Sequence, residues 1–236
     1  MPSPQEARSA EANERFFADN AAYARRVSEL ETYRNIRTAL NRELSGIERL
    51  LDVGNGGVFD YDTSLVPQIV AVDLFLDAGM AVRFPPNVAP RRGDALALDE
   101  ASASFDGVLL ALVFHHLVGK RLDDILANSR RALAEAHRVL GPGGRLIVVE
   151  SCVPAWFFPL EHLLFAALVA LSRTGLMKHP PVAQLPFDRL RGLIEERFDV
   201  QRAQRIPTGR TILQLGLRWP TALTPARPYL IVATKA

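Results

Sequence analysis

The sequence predicts an α/β fold built on a doubly wound, mostly parallel sheet. Two observations carry this prediction: short apolar runs rich in valine and leucine, and the glycine-rich turns or polar helical stretches that separate them. Apolar runs with almost no alternation are typical of strands buried on both faces of a parallel sheet. The predicted strands are residues 50–53, 69–74, 88–92, 105–112 and 145–149.

Helices are predicted between and after these strands. Residues 121–140 carry apolar side chains at helical spacing and end at a Gly-Pro-Gly-Gly turn, which leads directly into the strand at 145–149. A strand–helix–strand order of this kind gives right-handed crossovers. Residues 187–197 form a further predicted helix, and residues 198–205 and 228–234 are two final strands, the last of them antiparallel.

The chain is predicted to form a single domain. Its 236 residues, 48% of them apolar and 23% charged, suffice for one sizeable core. The predicted parts are a helical cap at 1–48, a sheet core at 49–152, a lid segment at 153–197 and the final strands at 198–236. The cap is predicted to be helical because good helix formers dominate it and because it contains no proline after Pro4.

Composition excludes several classes of protein. A net charge of only +2, from 28 Lys+Arg and 26 Asp+Glu, argues against a dedicated nucleic-acid binder. The one cysteine, Cys152, forms no internal disulfide and builds no cysteine cluster. The five histidines are not spaced with carboxylates as metal ligands are, so no metal site is predicted. The chain opens without a basic-then-apolar signal pattern, and a cytoplasmic location is expected.

The sharpest local motif is Leu-Leu-Asp-Val-Gly-Asn-Gly-Gly at residues 50–57. An apolar strand that ends in Asp52 is followed by Gly54-x-Gly56, which lets backbone amides approach a ligand without side-chain obstruction. The next strand ends in Asp73, 21 residues later. A carboxylate at that place is suited to bind a ribose diol, because it accepts two hydroxyl hydrogen bonds at once.

Further polar residues follow the other strands. Asp94 comes just after the strand at 88–92, and the adjacent His115 and His116 follow the strand at 105–112. All of these positions are at the carboxyl ends of predicted strands, where open α/β sheets bind their ligands. The sequence therefore predicts one ligand site at this edge of the sheet.

At these motifs the chain resembles the class I S-adenosylmethionine-dependent methyltransferases, in their small-molecule branch, whose sheet is Rossmann-like. The matching stretches read LLDVGNGG, VAVDL, RRGDALAL, FDGVLLALVFHHL and, most specifically, ALAEAHRVLGPGGRLIVVES. The resemblance covers residues 50–151, and outside them only the overall layout fits. It implies that the cofactor is S-adenosylmethionine, with no metal.

The resemblance also implies a set of cofactor-binding residues. These are Asp52, Gly54, Asn55, Gly56, Asp73, Leu74, Asp94, Ala95 and Ala111. In this family the glycine loop passes the methionine part of the cofactor, with the carboxylate before it near the amino group. The acid that ends the second strand holds the ribose, and the residues matching Leu74, Asp94 and Ala95 surround the adenine.

One departure from the family pattern concerns the glycine loop. Val58 stands where a third glycine is usual, and residues 59–67 lack the small, helix-favouring residues that follow such a loop. Because of Pro67 and several turn-forming residues, the first crossover helix is expected to be short or distorted. A nicotinamide dinucleotide fits less well, because its fingerprint needs glycine at the position of Phe59.

The two adjacent histidines are the candidate catalytic residues. An imidazole suits proton transfer near neutral pH, and methyl transfer to a hydroxyl or another weakly acidic group gains from a general base. His115 and His116 follow the fourth strand, with a slight preference for His115. The alternative is that one ring hydrogen-bonds the backbone or shapes the cofactor pocket.

Substrate contacts are expected from the N-terminal helices and from residues 153–186. Tyr23, Tyr33, Trp156, Glu161 and His162 are the candidate substrate-binding residues. A helix over 159–173 would be about 22 Å long, short of the roughly 30 Å core of a bilayer, so no membrane span is predicted. A lid over the substrate is favoured for this helix, with a dimer contact or a peripheral membrane contact as alternatives.

The predicted function is transfer of a methyl group from S-adenosylmethionine to an oxygen or nitrogen of a small, largely apolar or aromatic metabolite, in a biosynthetic pathway. The partner is a small-molecule acceptor and not a nucleic acid, and the protein is expected to be a monomer or a homodimer. The alternative is a methyltransferase-like protein that no longer methylates, and the irregular loop around Val58 motivates it.

Overall fold

The structure is a computed structural model that describes residues 31–74, 76, 84–118, 124–160, 163, 182–208 and 226–236. The part of the predicted cap before residue 31, including Tyr23, lies outside the described residues, as do Glu161 and His162. Most of the predicted lid helix at 159–173 lies outside them too.

A seven-stranded sheet forms the centre of the fold. Its strands are β1 Arg49–Val53, β2 Gln68–Asp73, β3 Val88–Arg92, β4 Phe105–Ala111, β5 Leu140–Cys152, β6 Asp199–Arg205 and β7 Arg227–Thr234. The strand order is β3-β2-β1-β4-β5-β7-β6. Neighbours among β1 to β5 pair in parallel, and β7 runs antiparallel to both β5 and β6. This arrangement confirms the predicted fold class.

Helices cover both faces of this sheet. They are α1 Glu31–Glu43, α2 Asp124–Val139 and α3 Phe187–Glu195. On one face, Leu40 of α1 packs in a cluster with sheet residues such as Leu50 and Ile69. On the other face, Leu133 of α2 and Leu190 of α3 join the second cluster. Burying one such leucine contributes about 1.5–3 kcal/mol. Burial on both faces explains why the central strands β1, β2 and β4 are rich in apolar residues, whereas the edge strands β3 and β6 are mostly exposed.

One boundary differs from the sequence prediction. The Gly-Pro-Gly-Gly stretch is not a separate turn before the strand, because β5 already begins at Leu140, directly after α2. Leu140 pairs with Phe105, and the register then shifts before Gly107 pairs with Arg145. Gly143, at a φ of +70°, donates to the carbonyl of Lys235, so the glycines form an irregular strand start.

The first crossover contains no α-helix. Between β1 and β2 the only helical element is a single 3-10 turn at Thr63–Leu65, which confirms the expected distortion. The Asp62 side chain accepts from the backbone N–H of Ser64 and caps this turn. The Phe59 ring of this crossover packs edge-on against two other rings: its centroid is 5.7 Å from that of Tyr61 and 5.8 Å from that of Phe84.

The described residues contain neither a membrane-spanning helix nor a cluster of metal ligands. None of their helices combines the length and the apolar character needed to cross a bilayer. In the same part of the chain, His, Cys, Asp and Glu side chains form no group of three or more that could hold a metal ion. Cys152 is buried, and burial raises the pKa of its thiol well above the ordinary value.

Candidate active site

The candidate site lies at the carboxyl ends of β1, β2 and β4. The chain builds β1 to β3 toward one side of the sheet and β4 onward toward the other, so the strand order reverses between β1 and β4. Crevices at such reversals are where doubly wound sheets bind ligands. The backbone N–H of Gly54, just after β1, donates to Val72 of β2 at 2.7 Å, which fixes the start of the loop.

The glycine loop is held together by the side chain of Asn55. Its Nδ2 donates to Asp52 Oδ2 at 2.7 Å and to the Val58 carbonyl at 2.8 Å, and its Oδ1 accepts from Gly57 N at 2.8 Å. Gly54, Gly56 and Gly57 have φ of +74°, +60° and +80°. These left-handed conformations need glycine, and they give the loop its tight path.

Asp52 lies buried beneath this loop, with only 2% of its surface exposed. Its Oδ2 accepts from the Tyr61 hydroxyl at 2.8 Å as well as from Asn55. Burial raises the pKa of Asp52 to about 7, and the two hydrogen bonds oppose this rise only in part. Tyr61 was not predicted as a site residue, because nothing in the irregular loop sequence indicates that its hydroxyl returns to β1.

Asp73 ends β2 beside the loop. Its Oδ2 accepts from the backbone N–H of Gly56 at 3.0 Å, and the carboxylate is nearly buried. The next residue, Leu74, is 49% exposed although it is large and apolar. Asp94 follows β3 and is exposed, with Oδ1 accepting from Leu96 N at 2.9 Å. Two carboxylates and an exposed leucine thus lie at the ends of neighbouring strands.

Ala95 and Ala111 are both half-buried. Ala95 packs against the cluster that contains α2, and Ala111, the last residue of β4, packs against the cluster that contains α1. The next residue, Leu112, has a φ of +59°, which is unusual for a side chain larger than glycine. Its N–H donates to Val149 of β5 at 2.7 Å. Strained backbone of this kind clusters at functional sites, and here it precedes the two histidines.

His115 is paired with a buried carboxylate. Its Nδ1 lies 2.7 Å from Oε1 of Glu150, near the end of β5. The His115 side chain is 14% exposed and that of Glu150 is 1% exposed. The His116 ring lies 4.1 Å from the His115 ring, between centroids. Glu150 was not predicted from the sequence, although an acid near the end of an apolar strand is the same signal that predicted Asp52 and Asp73.

The two described substrate candidates lie on different elements. Tyr33 is on α1, half-buried against the cluster on that face of the sheet. Trp156 follows β5 and is 70% exposed, with its ring in edge contact with Phe157. Residues 157–160 are helical, and Leu160 and Leu163 are also exposed. The segment after β5 therefore presents apolar side chains next to the strand that carries Glu150.

Comparison with known proteins supports this fold. Residues 51–148 match a family model described as a methyltransferase domain. Among solved structures, a protein from Methanosarcina mazei described as a SAM-dependent methyltransferase superposes with a TM-score of 0.57 and 16% identity, over 84% of this chain and 96% of that one. Over these residues the chain is similar to the class I methyltransferases. The resemblance found in the motifs is confirmed, and S-adenosylmethionine is the methyl donor of this class.

Two curated relatives match parts of this chain. It is 39% identical over 76 residues to demethylmenaquinone methyltransferase of Thermus thermophilus, covering 32% of this chain and 28% of that protein. It is 36% identical over 114 residues to the ubiquinone/menaquinone biosynthesis C-methyltransferase UbiE of Dinoroseobacter shibae, covering 44% of this chain and 42% of that protein. The matched part of the chain thus spans less than half the length of either relative.

The residues at the carboxyl edge fit S-adenosylmethionine. The loop that starts at Gly54 offers backbone without side chains, Asp73 offers a carboxylate for a diol, and the exposed Leu74 offers an apolar surface for a flat ring. These groups match three parts of the cofactor, which are its amino group, its ribose diol and its adenine ring. Asp52 departs from it, because its Oδ2 is already occupied by Tyr61 and Asn55.

Replacing Gly54 by alanine is expected to destabilise the protein more than the same change at Gly46. Both glycines have a positive φ, which costs an L-residue about 1–2 kcal/mol. A Cβ at Gly54 would lie 2.7 Å from Val113 Cγ2, whereas at Gly46 it meets no atom of the described residues within 4 Å. Overpacking adds roughly 1–3 kcal/mol at Gly54 alone. Urea unfolding of both variants measures the difference, and equal losses would show that Val113 gives way freely.

Proposed function

We propose that this protein transfers the methyl group of S-adenosylmethionine to an oxygen or nitrogen of a small, largely apolar or aromatic metabolite. The observation that carries the proposal is the convergence of the glycine loop, Asp73 and the His115–Glu150 pair on the carboxyl ends of adjacent strands. The names of the curated relatives, which concern quinones, support an aromatic and lipophilic acceptor. The proposal includes a cytoplasmic location, no nucleic-acid partner, and a monomeric or homodimeric state.

The cofactor is held, in this proposal, by residues of three strand ends. Gly54 and Gly56 leave room for its methionine part, and the carboxylate of Asp73 accepts hydrogen bonds from the ribose hydroxyls. The adenine lies between the exposed Leu74 and the backbone near Asp94, with Ala95 and Ala111 as small neighbours. When bound, S-adenosylmethionine supplies a sulfonium methyl group that a nucleophile takes in line, leaving a thioether.

His115 acts as the general base in this proposal. Its side chain is partly exposed at the site while Nδ1 is engaged by Glu150, so Nε2 is the nitrogen that accepts a proton from the acceptor. His116 packs against the His115 ring and supports its position. The protein's other contribution is alignment, because an in-line displacement gains most from holding the reacting groups at the correct distance.

The acceptor is proposed to lie under the segment that follows β5. Trp156 offers an exposed aromatic face there, and Tyr33, on α1, is the candidate from the opposite face of the sheet. Glu161, His162 and Tyr23 stay predictions from the sequence. A lid over the acceptor is the favoured role of the apolar residues after Phe157, and peripheral membrane contact or dimerisation are the other roles that we keep.

Calorimetric titration with S-adenosylmethionine and with S-adenosylhomocysteine tests the cofactor site. We expect micromolar binding of both ligands, weakened at least about tenfold by Asp73→Ala through the loss of two hydrogen bonds to a charged group. The matched control is Asp199→Ala, because Asp199 is an exposed carboxylate at the start of the outermost strand β6. Equal affinities of the Asp73 and Asp199 variants would refute the ribose assignment.

A second candidate function is a methyltransferase-like protein that no longer methylates. The closed network of Asp52, Asn55 and Tyr61, together with the missing first crossover helix, favours it. The calorimetric titration described above distinguishes the two candidate functions, because they differ first in whether the cofactor binds. A folded protein that binds neither ligand would support a repurposed fold, and one that binds both would support a working cofactor site.

A carbon acceptor is the other alternative, because one relative is named a C-methyltransferase. An aromatic hydroxyl compound could be methylated on oxygen or on carbon, since deprotonation of the hydroxyl makes both the oxygen and the conjugated ring carbons nucleophilic. Mass spectrometry of the methylated product distinguishes them: a methyl on oxygen or nitrogen is lost on ether or amine cleavage, and a methyl on carbon is retained.

A further inference from the structure

Glu150 is a buried acid that lies outside the part of the chain matched by the family model, which ends at residue 148. Only 1% of its side chain is exposed, and three groups contact its carboxylate. Oε2 accepts from Phe114 N at 2.7 Å, Oε1 accepts from Ser151 N at 2.7 Å, and Oε1 also contacts His115 Nδ1 at 2.7 Å. A carboxylate so enclosed holds its position, because moving it would leave two buried N–H groups unpaired.

These contacts determine where the proton lies in the Glu150–His115 pair. A carboxylate only accepts hydrogen bonds, and the two backbone N–H groups occupy one acceptor position on each oxygen. The third contact is therefore donated by the imidazole, so that Nδ1 carries the hydrogen. In a neutral imidazole the other nitrogen, Nε2, is then the proton acceptor.

We propose that Glu150 is a positioning residue that fixes His115 as the Nδ1–H tautomer, so that Nε2 takes the proton of an acceptor hydroxyl. The inference rests on the proposed function and narrows its acceptor, because a neutral amine attacks without prior deprotonation whereas a hydroxyl gains from a base. The O–H bond breaks, its proton passes to Nε2, and its electron pair stays on the acceptor oxygen as the nucleophile. Glu150 stabilises the imidazolium that forms, and solvent later takes its proton.

Backbone geometry around the histidine supports this assignment. The Ala183 N–H donates to the His115 carbonyl at 3.2 Å, so the backbone is tied on both sides of the ring. Phe114, whose N–H contacts Glu150, is fully buried and begins the short 3-10 turn Phe114–His116. Glu150 thus links the end of β5 to the turn after β4. A purely structural role would need only the two backbone hydrogen bonds and not the contact with the ring.

Nitrogen-15 NMR of histidine-labelled protein, without cofactor or acceptor, tests the assignment. At neutral pH we expect His115 as the Nδ1–H tautomer, its resonances being identified by their loss in His115→Gln. Glu150→Gln is expected to shift the population toward the Nε2–H tautomer, because the amide that replaces one oxygen can donate to Nδ1. Glu195→Gln is the matched control, since Glu195 is an exposed acid that pairs with Arg191 on α3. It should leave the His115 signals unchanged.

Two results would overturn the inference. One is an Nε2–H tautomer of His115 in the wild-type protein, which needs no variant and is therefore independent of whether Glu150→Gln folds. The other is an unchanged tautomer in a folded Glu150→Gln variant. Neither result bears on cofactor binding, so calorimetric binding of S-adenosylmethionine together with the wrong tautomer would leave the proposed function intact and remove only the role of Glu150.

Discussion

Replacing His115 by glutamine is expected to lower kcat roughly 100- to 10,000-fold, while the affinity for S-adenosylmethionine is retained. Glutamine keeps a polar side chain of similar reach but accepts no proton at neutral pH, so the variant loses general-base catalysis, which is worth this factor. Because Nδ1 is bound to Glu150, the loss should appear in kcat and less in KM. The rate of S-adenosylhomocysteine formation with a saturating hydroxyl acceptor measures the loss, and calorimetry measures cofactor affinity.

A matched histidine elsewhere in the chain provides the control. His137 is in the last turn of α2 and packs its ring 5.3 Å from that of Phe198, far from the carboxyl ends of the strands. His137→Gln should therefore keep the wild-type kcat. Full activity of His115→Gln would contradict the base assignment and leave His115 the role of shaping the pocket, which is the alternative that the sequence already offers.

Most strands of the sheet could be predicted closely, because the signal is the apolar composition of each strand itself. Strands buried on both faces need nearly uninterrupted apolar runs, and the run predicted at residues 69–74 is β2, Gln68–Asp73, in the structure. The start of β5 could not be predicted. Its glycines and Pro142 indicate a turn, but the pairing of Leu140 with Phe105 depends on a neighbour 35 residues away. Long-range pairing overrides local turn preference there.

Site residues could be predicted from the sequence where the signal lies within one strand, as it does for an acid at the end of an apolar run. Asp52 and Asp73 close apolar runs, and both lie at the carboxyl edge as expected. Glu150 carries the same signal but was not predicted, because the resemblance to the family assigns no role to an acid at the end of the fifth strand. The Tyr61–Asp52 hydrogen bond has no sequence signal, since it depends on how an irregular loop folds back.

The irregular loop changes how the first strand end is stabilised. A helix that begins after a glycine loop presents unpaired N–H groups and a positive dipole end to an anion. Here the element after the loop is a 3-10 turn of three residues, and the loop is closed instead by side chains of Asn55 and Tyr61 bound to Asp52. The conformation of the loop therefore depends on the buried carboxyl group of Asp52. The protonation state of this group in turn affects the stability of the folded protein.

The free energy of unfolding of the ligand-free protein is therefore expected to depend on pH through Asp52, and Asp52→Asn should remove that dependence. Burial raises the pKa of Asp52 from 3.8 to about 7. Between these values Asp52 binds more protons in the folded state than in the unfolded chain, so its contribution to stability falls as pH rises through this window and is constant above it. The shift corresponds to about 4 kcal/mol lost by the wild type relative to Asp52→Asn between pH 4 and pH 8.

Urea unfolding of wild type and Asp52→Asn at several pH values between 4 and 8 measures this difference. Asparagine keeps the shape of the side chain and one oxygen that accepts from Tyr61 and Asn55, so the variant removes the titration and little else. Asp199→Asn is the control, because Asp199 is exposed at the far edge of the sheet. Parallel curves for wild type and Asp52→Asn would mean that water reaches the carboxyl group. In that case the loop would be open enough to admit the amino group of the cofactor, as in the family pattern.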